Sequence, residues 1–259
     1  MTTTTGYSKE FSSAILLWMR TDKTVREGKD YWAGGHAQII ASSPLTKQYR
    51  QLHMSETETG FWPPHHGLQT AVPEDRRIDG IADVTFQNLL APVAGRKQTA
   101  LAFADEINVF RRTILYAGLP GSARWYQTPV AGAETQLRDI FFLRRGTGVR
   151  SAALKRYVHD VMTPALLAAD GVSELRTQVF MPWTARTWNT PNVAHDNPVA
   201  DRYHASVQVG FASQEARDAF YETPAPQLNA SLGSIASAVH AFSIEKTLVF
   251  VDEGRKLTV

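Results

Sequence analysis

The chain repeats its own pattern at a distance of 125 to 126 residues, and such a repeat decides the architecture before any single element is assigned. Ile15-Leu16-Leu17-Trp18-Met19-Arg20 has the length and unbroken apolarity of a buried strand, and Ile140-Phe141-Phe142-Leu143-Arg144-Arg145 matches it down to the terminal arginine. A polar turn and a helical pattern follow each, containing Asp30-Tyr31-Trp32 in one half and Arg156-Tyr157-Val158 in the other. Tyr49-Arg50-Gln51-Leu52-His53 then stands against Leu175-Arg176-Thr177-Gln178-Val179. After a long loop containing Pro and Trp in each half, the run from Gly80 to Phe86 stands against that from Ala205 to Phe211. A second helix is predicted over residues 99–117 and 214–238, the latter interrupted by Pro224 and Pro226. Closing strands are expected at Ala123-Arg124-Trp125-Tyr126 and over 240–251.

Each half thus orders its elements β-α-β-β-α-β, the ferredoxin-like motif. The predicted class is α+β, with two tandem ferredoxin-like repeats over residues 1–130 and 137–259 and a linker over 128–136 that holds Pro129 and Gly132. A four-stranded antiparallel sheet with helices on one face needs cover on the other, so two such sheets in one chain are expected to pack together as an intramolecular α+β barrel. Composition agrees with a folded globular chain, at 43% hydrophobic and 20% charged residues. The 27 basic and 25 acidic residues are interspersed, which leaves no basic stripe for nucleic acid. With no cysteine, disulfides, thiolate metal sites and a cysteine nucleophile are excluded. The apolar run from Ala14 to Met19 is too short for a signal core or a membrane span, so a cytoplasmic protein without a membrane partner is expected.

The block Tyr31-Trp32-Ala33-Gly34-Gly35-His36-Ala37-Gln38-Ile39-Ile40, with Pro44 and Tyr49-Arg50-Gln51 after it, resembles the EthD-like family of the dimeric α+β barrel superfamily. That resemblance implies a barrel fold and an aromatic pair ahead of a working histidine in the first helix. Its relatives include cofactor-free cyclases and dehydratases, small monooxygenases, isomerases and haem-binding enzymes, so the fold carries over better than the activity. The position matching His36 in the second half is Met162, which departs from the pattern and leaves the first half as the expected active one.

His36 is the leading catalytic candidate. At helical spacing it shares an apolar face with Trp32 and Ile40, where an imidazole either shuttles a proton or simply satisfies one backbone carbonyl in a core. Asp83, a carboxylate in mid-strand, either orients His36 or forms an interface ion pair; its counterpart is Gln208. His53 either joins a polar cluster with His36 or caps a strand. Trp18, Tyr31, Trp32, Tyr49 and Trp125 are candidates for an aromatic substrate wall. The loop Gly60-Phe61-Trp62-Pro63-Pro64-His65-His66-Gly67 adds Trp62 and His65 as a lid or an association surface, and its counterpart over 183–195 carries Trp188, Pro191 and His195.

The spacing of His36, His53, His65 and His66 fits no metal signature, and nothing marks His159, His204 or His240 as a haem ligand. The expected protein is a homodimeric enzyme needing no cofactor or metal. It would act on a small hydrophobic, aromatic or polyketide-like metabolite by lyase, dehydratase or cyclase chemistry, with His36 as general acid/base. A non-catalytic carrier of a hydrophobic ligand and a small monooxygenase are the alternatives.

Overall fold

The computed structural model describes residues 5–128, 130 and 134–258, so much of the expected linker over 128–136 lies outside the described residues. The strands are β1 (Thr5–Ser8), β2 (Phe11–Met19), β3 (Thr46–Thr59), β4 (Gly80–Phe86), β5 (Phe110–Gly118) and β6 (Ala123–Tyr126). They continue as β7 (Leu137–Arg145), β8 (Val172–Val179), β9 (Ala205–Phe211), β10 (Ala236–Asp252) and β11 (Arg255–Lys256). The helices are α1 (Val25–Tyr31), α2 (Ala37–Ala41), α3 (Ala91–Ala94), α4 (Arg96–Glu106), α5 (Ser151–Arg156), α6 (Thr163–Leu167), α7 (Gln214–Glu222) and α8 (Pro224–Gly233).

The class is α+β, with the strands in one large antiparallel sheet of order β1-β6-β8-β9-β7-β10-β3-β4-β2-β5, and β11 on β10. The four main strands after residue 137 run β8-β9-β7-β10, and those before it run β3-β4-β2-β5, the same order of pairing in each half. The 17-residue β10 joins the halves, pairing with β7 through its first part and with β3 through its second. At the far edges Met181 N donates to Ala117 O (2.8 Å) and β6 pairs with β8, so the sheet curls back on itself.

Curling buries both sheet faces, which is why β2 and β9 are apolar and buried almost without alternation. Inside lies a core shared by the halves, including Leu16, Trp18, Leu52, Ile81, Tyr116, Phe142 and Phe242. Outside, residues of opposite parity pack under helices: Ile15, Leu17, Tyr49, Ala82 and Val84 under Trp32 and Ala37, and Phe141, Leu143, Val207 and Val209 under α5 to α8.

Two predicted helices ran too far. The first ends at Glu106, because Phe110 to Gly118, rich in β-branched and aromatic residues, forms β5. Strand β6 is its continuation beyond a turn in which Gly121 adopts φ +74°. In the second half the helical run breaks at Thr223, Pro224 opens α8, and the strand begins at Ala236. Among the described residues no helix is long and apolar enough to cross a membrane.

Candidate functional site

A cavity of about 290 Å³ lies between the outer face of β2, β4 and β5 and the helices of the first half. Its wall is mostly apolar and aromatic, including Phe11, Trp32, Tyr49, Phe86 and Phe110, and an imidazole, His36, and a carboxyl, Glu106, flank this wall.

His36 is delivered by a π turn, Trp32–His36, inserted between α1 and α2. The adjacent glycines allow it: Gly34 takes φ −86°, ψ −113°, which leaves the helical region. Trp32 O accepts the π-turn bond from Ala37 N–H and takes a second donor from the sheet. Gln51 Nε2 donates to Trp32 O (2.9 Å) and to the Tyr49 hydroxyl (2.8 Å), while Gln51 Oε1 lies 3.1 Å from His53 Nε2. The Trp32 indole stacks on His53 (4.8 Å between centroids) and sits over Gly80, where a Cβ would come within 2.5 Å of the ring. His53 therefore positions the turn and is not part of the cavity wall. Burial, with help from Lys29 and Lys246, pushes its pKa down to about 4, so the ring is neutral and Nε2–H donates to Gln51.

The ring of His36 is buried, edge-on to Phe110 (5.4 Å), and its Nδ1 lies 3.0 Å from Asp105 Oδ2. Burial lowers its pKa and outweighs the opposing effect of Asp105, so the neutral ring donates Nδ1–H to that carboxylate. Burial pushes Asp105 up, but bonds from Tyr31, Asn108 and His36 hold it below the usual carboxylate range. With Nδ1–H committed, Nε2 carries the lone pair and has no hydrogen-bond partner among the described residues. The arrangement is an Asp–His dyad with its basic nitrogen unengaged.

The next residue, Glu106, is 2% exposed. Its carboxyl accepts from Trp188 Nε1 (2.9 Å) and is bonded to the Thr190 hydroxyl, both on the 183–195 loop of the second half. No cation pairs with it among the described residues. Burial pushes it up to about 7, with Asp105 adding to the shift and the two donors opposing it.

The other candidates are dispersed by the two-faced sheet. Asp83 points into the barrel, on the opposite face from the Ala82, Val84 and Phe86 that line the cavity, so it cannot orient His36. It is bonded to Lys9 (2.8 Å) and Arg50 (2.6 Å). Burial pushes it up, but these cations outweigh that and hold it well below the usual range. Trp18 is in the shared core beneath the Arg112 guanidinium, and Trp125 lies against Arg176, 3.7 Å from its ring centroid. Trp62 fills the second half's core and donates to Asn229 (2.8 Å), while His65 is exposed. Tyr31 is 39% exposed and supports the site from outside, donating to Asp105 (2.7 Å). Trp32 and Tyr49 do form the wall.

Of the two loops, the one carrying Trp188 meets this cavity. His195 ties that loop to β5, with Nε2 3.0 Å from Thr190 O and Nδ1 2.9 Å from Thr113 O. His159 is bound to the Tyr126 hydroxyl, His240 to that of Tyr203, and His204 to the Arg145 amide. Among the described residues no three His, Asp or Glu side chains converge as a metal site. Asp105 and Glu106 were missed in the sequence because they fall inside an overlong predicted helix, where adjacent acids resemble ordinary surface charge.

By sequence the chain matches no family model and no curated protein. By structure it is similar to an anthrone oxidase-like protein (TM-score 0.60, 9% identity, covering 100% of this chain and 99% of the other). It is also similar to a candidate monooxygenase from Fusobacterium nucleatum (TM-score 0.55, 5% identity, 95% and 99% covered). A candidate monooxygenase from Lactobacillus acidophilus is a third neighbour (TM-score 0.51, 11% identity, 97% and 100% covered). At these identities the likeness is one of fold alone, and nothing in it singles out the EthD-like branch.

Proposed function

We propose that this chain is an enzyme that moves a proton on a small, largely apolar molecule held in the first-half cavity, with His36 Nε2 as the base and Asp105 holding its ring. The observation that carries this reading is a neutral imidazole, pinned at Nδ1 and unengaged at Nε2, in an apolar cavity of about 290 Å³. A base so placed removes a proton from an activated carbon, the first step of elimination, dehydration or aldol-type cyclisation, and needs no cofactor for that step.

The second half supplies an internal control. We read the halves as tandem copies of one ferredoxin-like unit, which the matching strand order supports. Met162 then stands where His36 does, 126 residues on; Leu232 stands for Glu106, and Phe220 for Gly95, 125 on. All three lie in a solid core, and Trp62 fills it where Trp188, 126 residues later, stops at the rim of the first cavity. One copy is packed shut while the other keeps space and polar groups together.

A monooxygenase is the second reading, favoured by likeness to an anthrone oxidase-like protein and two candidate monooxygenases. Both begin with the same proton removal, after which dioxygen instead of a leaving group accepts the electrons. The proposal also takes the chain as a cytoplasmic homodimer, which light scattering on the purified protein checks. The decisive experiment follows deuterium exchange into the acidic methylene of anthrone by NMR without oxygen, and then oxygen uptake once air is admitted. Exchange that is fast in the wild type and lost in His36→Ala supports the base; oxygen uptake at one O₂ per anthrone selects the monooxygenase. Equal exchange in both proteins refutes the assignment.

A further inference from the structure

Resting on that reading, we propose that Glu106 is a second catalytic residue of the same cavity: its carboxyl hydrogen-bonds and protonates the oxygen of a substrate carbonyl whose neighbouring C–H proton goes to His36. The substrate class is then an enolisable ketone on an apolar skeleton.

The geometry gives Glu106 a place that a surface acid does not have. It follows directly after Asp105 at the end of α4, so one residue grips the imidazole from behind while the next enters the cavity that the imidazole lines. A buried carboxyl is normally paired with a cation. Elsewhere in this chain that holds: Asp83 has Lys9 and Arg50, Asp139 has Arg217, and Glu174 has Arg138 and Arg176. Glu106 has only an indole N–H and a hydroxyl. These two donors use one bonding site on each oxygen, and each oxygen keeps another for a proton or a ligand. The charged and titratable groups around it are Asp105 on its own helix, His36 across the cavity, and His195, which is tied to Thr190 O on the loop that packs against it. Among the described residues none of them forms an ion pair with its carboxyl. Burial brings its proton affinity close to neutrality, where a group can both give and regain a proton.

The step balances without a further reactant. The C–H bond breaks and its proton passes to His36 Nε2; the C–H electron pair becomes the C=C bond, and the carbonyl π pair moves onto oxygen, which takes the Glu106 proton. The products are the enol, an imidazolium beside Asp105 and a carboxylate held by Trp188 and Thr190. Reversal from solvent-exchanged groups returns labelled ketone.

The rival role for Glu106 is a tether that fastens the 187–190 segment to α4. Glu106→Gln separates the two, because an amide keeps an acceptor for Trp188 but cannot transfer a proton. Deuterium exchange at the methylene next to the carbonyl of α-tetralone, and of the smaller 1-indanone, is followed by NMR for wild type, Glu106→Gln and His36→Ala. The infrared carbonyl stretch of a protonated carboxylic acid is followed from pH 5 to 9. The proposal expects exchange to fall about a hundredfold or more in Glu106→Gln, within the range for one acid–base group. It also expects a carboxylic-acid band that titrates near neutrality in the wild type and is missing in the variant. Exchange that needs His36 but is unchanged in Glu106→Gln overturns the role of Glu106 and leaves the base standing. A wild type that accelerates exchange of neither ketone overturns both.

Discussion

Replacing Glu106 by Gln should stabilise the protein above neutral pH and leave it little changed in acid. Burial raises this carboxyl from 4.5 to about 7, and at 1.36 kcal/mol per unit the native state carries a charged-carboxylate penalty of about 3 kcal/mol. Because the folded pKa lies above the unfolded one, the native protein holds the proton more tightly. Stability from this group is fully present below pH 4.5 and is lost as pH rises through 7. Roughly 2.5 kcal/mol of that loss falls between pH 5 and pH 8. A glutamine keeps the shape and an acceptor for Trp188 Nε1 but carries no charge at any pH. Urea denaturation of both proteins at pH 5 and pH 8 reads the effect as a double difference, in which every other titrating group cancels. Gln should gain about 2.5 kcal/mol on Glu between the two pH values, several degrees in melting temperature for a chain of this size. Parallel stability curves would refute the reasoning, since a carboxylate that costs nothing when charged must have water or a cation beside it. Stabilisation in the variant together with slower exchange would be the usual signature of a functional group kept at the expense of stability.

Asp105→Asn should leave the fold intact and lower His36-dependent exchange by roughly a hundredfold to ten-thousandfold, the range for acid–base groups, because the amide no longer dictates which ring nitrogen carries the proton. Steady-state rates at pH 7 check it, and an unchanged rate removes Asp105. Lys9→Met should cost about 3 kcal/mol by leaving buried Asp83 with one cation fewer, yet leave the exchange rate untouched, because that pair faces the barrel and not the cavity. Denaturation and exchange measured on one preparation give both numbers, and a large loss of rate would place Asp83 back in the mechanism. His53, His159, His204 and His240 are each pushed down to about 4 by burial, so unfolding near pH 5 should take up about three protons from these rings. Stability should fall as pH drops from 6.5 towards 4, and the slope of denaturation free energy against pH counts the protons; a slope of less than one proton contradicts neutral buried rings.

Much of the fold was legible because its signals are local and apolar. The runs Gly80 to Phe86 and Ala205 to Phe211 were read with the boundaries that β4 and β9 have, since both are short, apolar and flanked by turns. Alternation along β4 puts Ala82, Val84 and Phe86 on one face and Ile81, Asp83 and Thr85 on the other. What alternation cannot say is which set faces the helices. In a curled sheet both faces are buried, so no polar face marks the outside, and Asp83 stayed open between orienting His36 and an ion pair for that reason. The true partner, Asp105, is 69 residues from His36 in sequence, within a segment whose helix was drawn eleven residues too long.

The site becomes intelligible when the two faces of one sheet are given different tasks. The inner face carries ion pairs that satisfy one another, with Asp83, Glu174, Lys9, Arg50 and Arg176 closing their own charges in a space with no room for a ligand the size of a metabolite. Buried and paired, the carboxylates among them stay charged at neutrality: Glu174 is pushed up by burial but held at about 2 by its arginines. The outer face of the first half leaves Glu106 without a cation and gives His36 only the partly exposed Asp105, so burial outweighs the opposing contacts and moves both towards the neutral form. Inverting the two environments would cancel the chemistry. A cation beside Glu106 would fix it as a carboxylate, and an apolar seal such as Phe220 provides in the second half would leave His36 nothing to act on. Among the described residues Glu106 stands apart by lacking the cation that Asp83, Asp139 and Glu174 each possess.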